Sequence, residues 1–260
     1  MFKKLRLIVL LAFPVSVFAQ FGLPPGFDVK TFQKDEDQVF WLLRYDTALM
    51  KTPVPSMQMS DPGDDLCFAW TDKKNTWHVV HGRIDSLKRY AAASHHTIDA
   101  KGKVLSSKEK PDTAMFGAHA RALLNATLEL KKTIPSDWRK MNRYVKRNAD
   151  NSLTVWFLPS YSQGGQAFYG PEVTYYYNAS GTVLSASKKI IKPLQGEKTD
   201  PGDEIELDYS SEKMPSLGSM YFAHRFKSNF KTIGIRYKKG TSTITYNTAD
   251  KTHAWQHATN

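Results

Sequence analysis

The chain has only one cysteine, Cys67, so no internal disulfide can hold the fold together. Cys67 sits among apolar neighbours in Leu66-Cys67-Phe68-Ala69-Trp70, where a small buried side chain is its expected role. Long apolar runs are also missing. The longest, Leu7 to Phe18, is about 12 residues, against the roughly 20 that a helix needs to span a bilayer. No His-Glu-x-x-His, Gly-x-Ser-x-Gly, Walker loop or Cys-x-x-Cys occurs, which removes the sequence-readable metalloprotease, serine hydrolase, nucleotide-binding and thiol-redox classes. No cofactor is expected.

Several features are informative. Lys3, Lys4 and Arg6 precede the Leu7–Phe18 run, and Val17-Phe18-Ala19 places compact residues where a signal peptidase reads them. Residues 1–19 therefore read as a signal peptide cleaved after Ala19. Gln20 follows the cut and no cysteine lies near it, so a lipoprotein is not expected. The mature protein is expected to be periplasmic or secreted. The formal charge of +11 falls to +8 without the three leader bases. Its distribution is uneven: nine acids against four bases from Gln20 to Asp72, then eight bases against one acid from Lys213 onward. Such asymmetry fits either an anionic envelope partner or an acidic front that packs on the basic tail.

Hydrophobic spacing predicts an α+β protein, with antiparallel sheets and about three helices in a single domain, 20–260. The helices are expected over 34–51, from Pro111-Asp112 to Pro135, and over 220–230. Strands are expected near 66–70, 76–84, 87–98, 141–148, 152–158, 172–178, 182–192, 232–238, 241–247 and 252–257. "IDAKGKVLSSKEK" at 98–110 echoes "YNASGTVLSASKK" at 177–189, each with an Asx residue and a glycine suited to a hairpin. The echo means either two helix-plus-strand sub-units, 28–135 and 136–260, or simply two similar hairpins.

"SLTVWFLPSYSQGGQAFYGPEVTYYYNASGTVLSA" and the later "MPSLGSMYFAHRFKSNFKTIGI" resemble a loose group of uncharacterised exported bacterial proteins over residues 140–257. The resemblance implies export and this architecture, and no activity.

Between two aromatic strands, residues 160–170 read as an extended hairpin loop. Tyr161, Phe168, Tyr169 and Tyr176 are the ligand-binding candidates among its rings. Lys227, Lys231, Lys238 and Lys239 are the candidates for an anion-attracting face. The histidines offer no metal site by spacing. His78 and His81 point to opposite strand faces, as do His95 and His96, while His253 and His257 share a face about 13 Å apart. His119 falls on the apolar side of a helix. Asp61, Asp64 and Asp65 read as a turn rather than a calcium loop. His224 is the one catalytic candidate, with no partner visible in the sequence. The leading expectation is a non-catalytic envelope binding module. The alternative is a hydrolase of an envelope polymer, using His224 as acid or base. N-terminal sequencing of the exported protein is expected to read from Gln20, and a retained Met1 would overturn the signal-peptide reading.

Overall fold

Asp28 starts the first helix. Its carboxylate accepts the Lys30 and Thr31 amides at 3.0 and 3.2 Å, offsetting the unpaired donors of a helix N-terminus. Helix α1 then runs Val29–Lys51, five residues earlier than apolar spacing alone predicts, and stops at Thr52 ahead of Pro53. The computed structural model describes residues 22–54, 65–85, 89–108, 112–159, 162–199, 203–247 and 249–260, so the signal segment, Tyr161, Asp61 and Asp64 lie outside the described residues.

Strands β1 (Asp65–Thr71), β2 (Trp77–Ile84), β3 (Tyr90–Ile98) and β4 (Val104–Ser106) follow α1 as an antiparallel sheet in that order. Helix α2 (Thr113–Thr133), capped by Asp112, comes next. It leads into β5 (Asn142–Arg147) and β6 (Leu153–Leu158), then β7 (Ser162–Gln163), β8 (Gln166–Tyr169), β9 (Glu172–Tyr177) and β10 (Leu184–Ile190). The second sheet has the order β10-β9-β6-β5. A helix followed by a four-stranded antiparallel sheet thus occurs twice, over 29–106 and 113–190. The division falls before α2 rather than at 135/136.

The echoing segments are matching turns. Asp99 Oδ1 accepts the Lys101 and Lys103 amides, both at 2.9 Å, and Asn178 Oδ1 accepts those of Thr182 and Val183 at 3.0 and 3.1 Å. Gly102 and Gly181 supply φ of +79° and +73°. The second turn is clamped to α2 by Arg121 Nε and Asn125 Nδ2, which donate to the carbonyls of Ser180 and Gly181 at 3.0 Å.

The remainder completes a three-stranded and a four-stranded sheet. Strand β11 (Gln195–Lys198) pairs with β8, giving a three-stranded sheet in the order β11-β8-β7. The segment 160–170 is accordingly not one extended loop. Gly164 and Gly165, with φ of +60° and +73°, turn a tight hairpin inside it. Strand β12 (Glu204–Tyr209), helix α3 (Leu217–Phe226) and β13 (Thr232–Tyr237) form a parallel crossover, which β14 (Gly240–Asn247) and β15 (Thr252–Thr259) extend antiparallel. Helix α3 begins three residues before the predicted start, where Ser216 caps it. The buried Glu172 carboxylate accepts the Gly218 amide at 2.9 Å.

Alternation along the strands decides what each sheet face meets. On one face of the first sheet, Phe68 stacks on His119 of α2 at 5.2 Å, and Trp70 meets Phe116 at 5.3 Å. On the other, Trp77 meets Trp41 of α1 at 5.9 Å. The second sheet repeats this arrangement, with Tyr175 against Thr133 of α2 and with Trp156 and Tyr144 against Trp41 and Tyr45 of α1. Helix α1 also lies on the last sheet, where Phe32 contacts Trp255 and His257. Phe32, Val39, Leu42 and Tyr45 are fully enclosed, each contributing about 1.5–3 kcal/mol by burial.

Replacing Gly181 with alanine is expected to destabilise the fold by more than about 2 kcal/mol, because a Cβ there would lie 2.2 Å from the Ala118 carbonyl oxygen in addition to the positive φ. Gly164→Ala, with nothing within 4 Å, isolates the φ contribution and is expected to lose clearly less. Equal losses in denaturant titrations would show that the turn does not press on α2.

Candidate functional site

Charged and aromatic groups converge where α1 meets α3 and β15. Glu36 Oε1 accepts the Trp255 indole N–H at 2.7 Å and the His224 Nε2–H at 2.9 Å, and His253 Nε2 stands 3.8 Å from the same oxygen. Helical spacing explains the aim of Glu36, which lies one turn before Phe40, whose ring meets His224 at 4.8 Å. His224 lies in the last turn of α3, while His253 and Trp255 share one face of β15. The two imidazoles meet edge to face at 4.8 Å.

Burial raises the carboxyl pKa of Glu36, but hydrogen bonds from His224, His253 and Trp255 outweigh it and hold the group at about 2. Burial lowers the His224 pKa against the pull of Glu36, to which its Nε2–H is donated. His224 therefore does have a carboxylate partner, which its sequence context did not reveal. Its side chain has 0 % exposure, however, although the residue borders an open depression. That depression, of about 390 Å³, is lined by His224 together with Leu43, Met50 and Arg225.

A second buried cluster holds α1 to α3. Asp46 accepts from Arg225 at 2.7 Å, from Tyr144 at 3.2 Å and from the Tyr221 hydroxyl. Burial raises the Asp46 pKa, opposed by Tyr221 and Arg225.

The other histidines are distributed by strand geometry. His78 and His81 do face opposite ways, as do His95 and His96, but each finds a histidine across the β2–β3 ladder. His78 Nδ1 and His95 Nε2 are 3.0 Å apart on the α2 side, and the His81 and His96 rings are 6.4 Å apart on the α1 side. His81 also bonds Thr52 Oγ1 at 3.1 Å. Burial pushes the Cys67 thiol up to about 12, which makes it a poor nucleophile. His119 is sealed in the core and donates Nδ1–H to the Met115 carbonyl at 2.8 Å, as its place on the apolar helix face implied. His257 bonds Ser242 Oγ, its cross-strand neighbour on β14, at 2.7 Å.

Among the described residues, the predicted ligand-binding side chains do not gather. Tyr169 is core, edge to face with Phe222 at 5.3 Å, and Phe168 is half-buried. Tyr176 is 38 % exposed on β9. Lys227 turns toward His253 and the Tyr246 ring, and Lys231 pairs with Glu204 at 2.7 Å. Lys238 and Lys239 are exposed at the far end of β13, about 20 Å from Lys231 at some 3.3 Å per strand residue. They do not form one face.

What the surface offers instead is a trough along the exposed side of α1. Three depressions of about 570, 370 and 390 Å³ adjoin there, all touching Thr47 and joined through Leu43 or Arg44. Phe40, Leu43 and Met50, the last 70 % exposed, form an apolar floor. Arg44, Lys51 and Lys101 supply positive charge, and none is in an ion pair among the described residues. Asp37 lies at one end, and the Asp99 carboxylate is engaged by its own turn. Comparison of the chain with protein families, curated proteins and solved structures finds no match to any of them.

The low pKa of Glu36 carries a stability consequence. Its ordinary value is 4.5 and its folded value about 2, so its contribution is full above 4.5 and is lost as pH falls through 2. Glu36→Gln, studied with a chelator present, is expected to lose about 1–3 kcal/mol at pH 7. The gap to the parent should narrow between pH 4.5 and 2 in denaturant titrations. A gap that stays constant over that range would mean the carboxylate charge contributes nothing to folding.

Proposed function

We propose that the protein is an exported, non-catalytic binding module of the cell envelope that holds an anionic ligand in the trough along α1. The observation that carries this reading is the joined apolar floor and unpaired basic rim of that trough. Its walls come from a hairpin of the first sheet and the C-terminal end of α3, so packed elements hold it in shape. From Asp37 to Lys51 the helix rises about 21 Å at 1.5 Å per residue, long enough for an extended chain of about six residues.

Unpaired cations beside one another favour an anion. Arg44 lies close enough to Lys146 to reinforce the lowering of the lysine pKa that burial begins. Lys146 itself sits over the Trp41 ring at 4.9 Å and donates to Gln38. The enclosure of the His224 ring weighs against the hydrolase alternative, since a general acid or base must reach substrate. Export rests on the basic, apolar and small-residue order of residues 1–19.

Binding to polyglutamate and to vesicles containing anionic phospholipid, at low and moderate salt, tests the reading and distinguishes a soluble acidic chain from a lipid surface. The triple variant Arg44→Gln, Lys51→Gln, Lys101→Gln is expected to weaken low-salt binding about ten-fold, on the order of 0.5 kcal/mol per exposed charge. The quadruple glutamine variant at Lys227, Lys231, Lys238 and Lys239 is expected to bind nearly as the parent does. Binding that ignores salt and the triple variant would overturn the proposal, as would no binding to either probe.

A further inference from the structure

Glu36, His224 and His253 come from three elements far apart in the chain, yet one ligating atom from each lies within 4.8 Å of the other two. Glu36 Oε1 is 2.9 Å from His224 Nε2 and 3.8 Å from His253 Nε2. A four-coordinate zinc ion with bonds of about 2.0 Å sets its ligand atoms about 3.3 Å apart, between those two separations. We propose that this cluster is a binding site for one divalent transition-metal ion of the zinc class, held by Glu36 Oε1, His224 Nε2 and His253 Nε2.

The donor chemistry favours that class. Two imidazoles and one carboxylate suit zinc and its neighbours, whereas magnesium and calcium take oxygen ligands. The surroundings supply much of what a metal site requires. Trp255 holds the Glu36 carboxylate through its indole N–H at 2.7 Å, the kind of outer contact that fixes a ligand's orientation. Phe40 and Trp255 flank His224 and restrict the ring. His224 Nδ1 has no hydrogen-bond partner among the described residues, so its proton can sit on Nδ1 and leave Nε2 free for the ion without breaking a bond there. The side chains of Glu36 and His253 are 20 % and 25 % exposed, which gives an ion a way in. Three protein donors also leave a fourth position for water or a ligand group.

Lys227 opposes binding. Its Nζ stands 3.4 Å from His253 Nδ1, the nitrogen that must carry the proton when Nε2 holds an ion. The ammonium must therefore swing away, and its half-buried position at the end of α3 allows that. A glutamine at this position could accept the Nδ1–H and would remove the repelling charge.

Titration of the chelator-treated protein at pH 7 with Zn²⁺ by calorimetry, and with Co²⁺ by visible absorption, tests the site. One ion per chain is expected, with the intense visible bands of four-coordinate cobalt. His253→Ala, at a partly exposed strand position, is expected to abolish binding while leaving the fold intact by circular dichroism. Trp255→Phe is expected to weaken binding about ten-fold through the lost outer contact, and Lys227→Gln to strengthen it. No stoichiometric binding by the folded parent would overturn the proposal. So would binding that survives His253→Ala, or binding lost on His78→Gln, which would place the ion at the His78–His95 pair.

Discussion

Helix α1 carries Glu36 and Asp46 into partly or largely buried positions, and donors from distant elements meet both. A buried carboxylate without donors costs several kcal/mol. Glu36 meets donors from α3 and β15, and Asp46 meets donors from α3 and β5. Those contacts tie the N-terminal helix to the last helix and the last sheet. Both helix-plus-sheet units also lean on α1, through Trp77 on one side and Trp156 and Tyr144 on the other. Hydrophobic area supplies most of the free energy of these contacts, but the carboxylates determine which face of α1 meets which element.

The same helix supplies both candidate sites from one stripe, since Glu36, Phe40, Leu43, Thr47 and Met50 recur every three or four residues. Glu36 meets α3 and β15 in an aromatic setting where a charge-assisted hydrogen bond is strong. Further along the stripe, Phe40, Leu43 and Met50 form the floor of the trough. Phe40 belongs to both, packing on His224 while lining the open depression. The acidic front and basic tail of the chain meet inside the fold at an ion pair, Asp46 with Arg225. The bases left over are scattered and do not form a tail-borne patch.

Much of the architecture was legible because it depends on local rules. The three helices, the strands from β5 to β10 apart from the short β7–β8 hairpin, and the two Asx-glycine turns all follow from periodicity, proline stops and side-chain capping within a few residues. The misses were local as well. Asp28 capped α1 earlier than the apolar stripe suggested, and Gly164-Gly165 made a hairpin where only a loop was expected. The parallel pairing of β12 with β13 had no signal, since a crossover relates two strands through the packing of the helix between them.

The functional residues divide the same way. Composition and order were sufficient to predict a leader, to exclude disulfides and the common catalytic motifs, and to place His78 and His81 on opposite faces, because each of these depends on residue type or on a period of two. They could not show that His78 meets His95, that Tyr169 is core, or that Glu36 stands 188 positions from His224 in sequence and 2.9 Å from it in space. Strand register and helix docking are decided by how faces from distant segments pack, and no spacing within one segment records that outcome. The excess of acids at the front and of bases at the end was the one long-range signal. It fitted contact between the two ends as well as an anionic partner, and only the tertiary structure determined which carboxylate meets which ring.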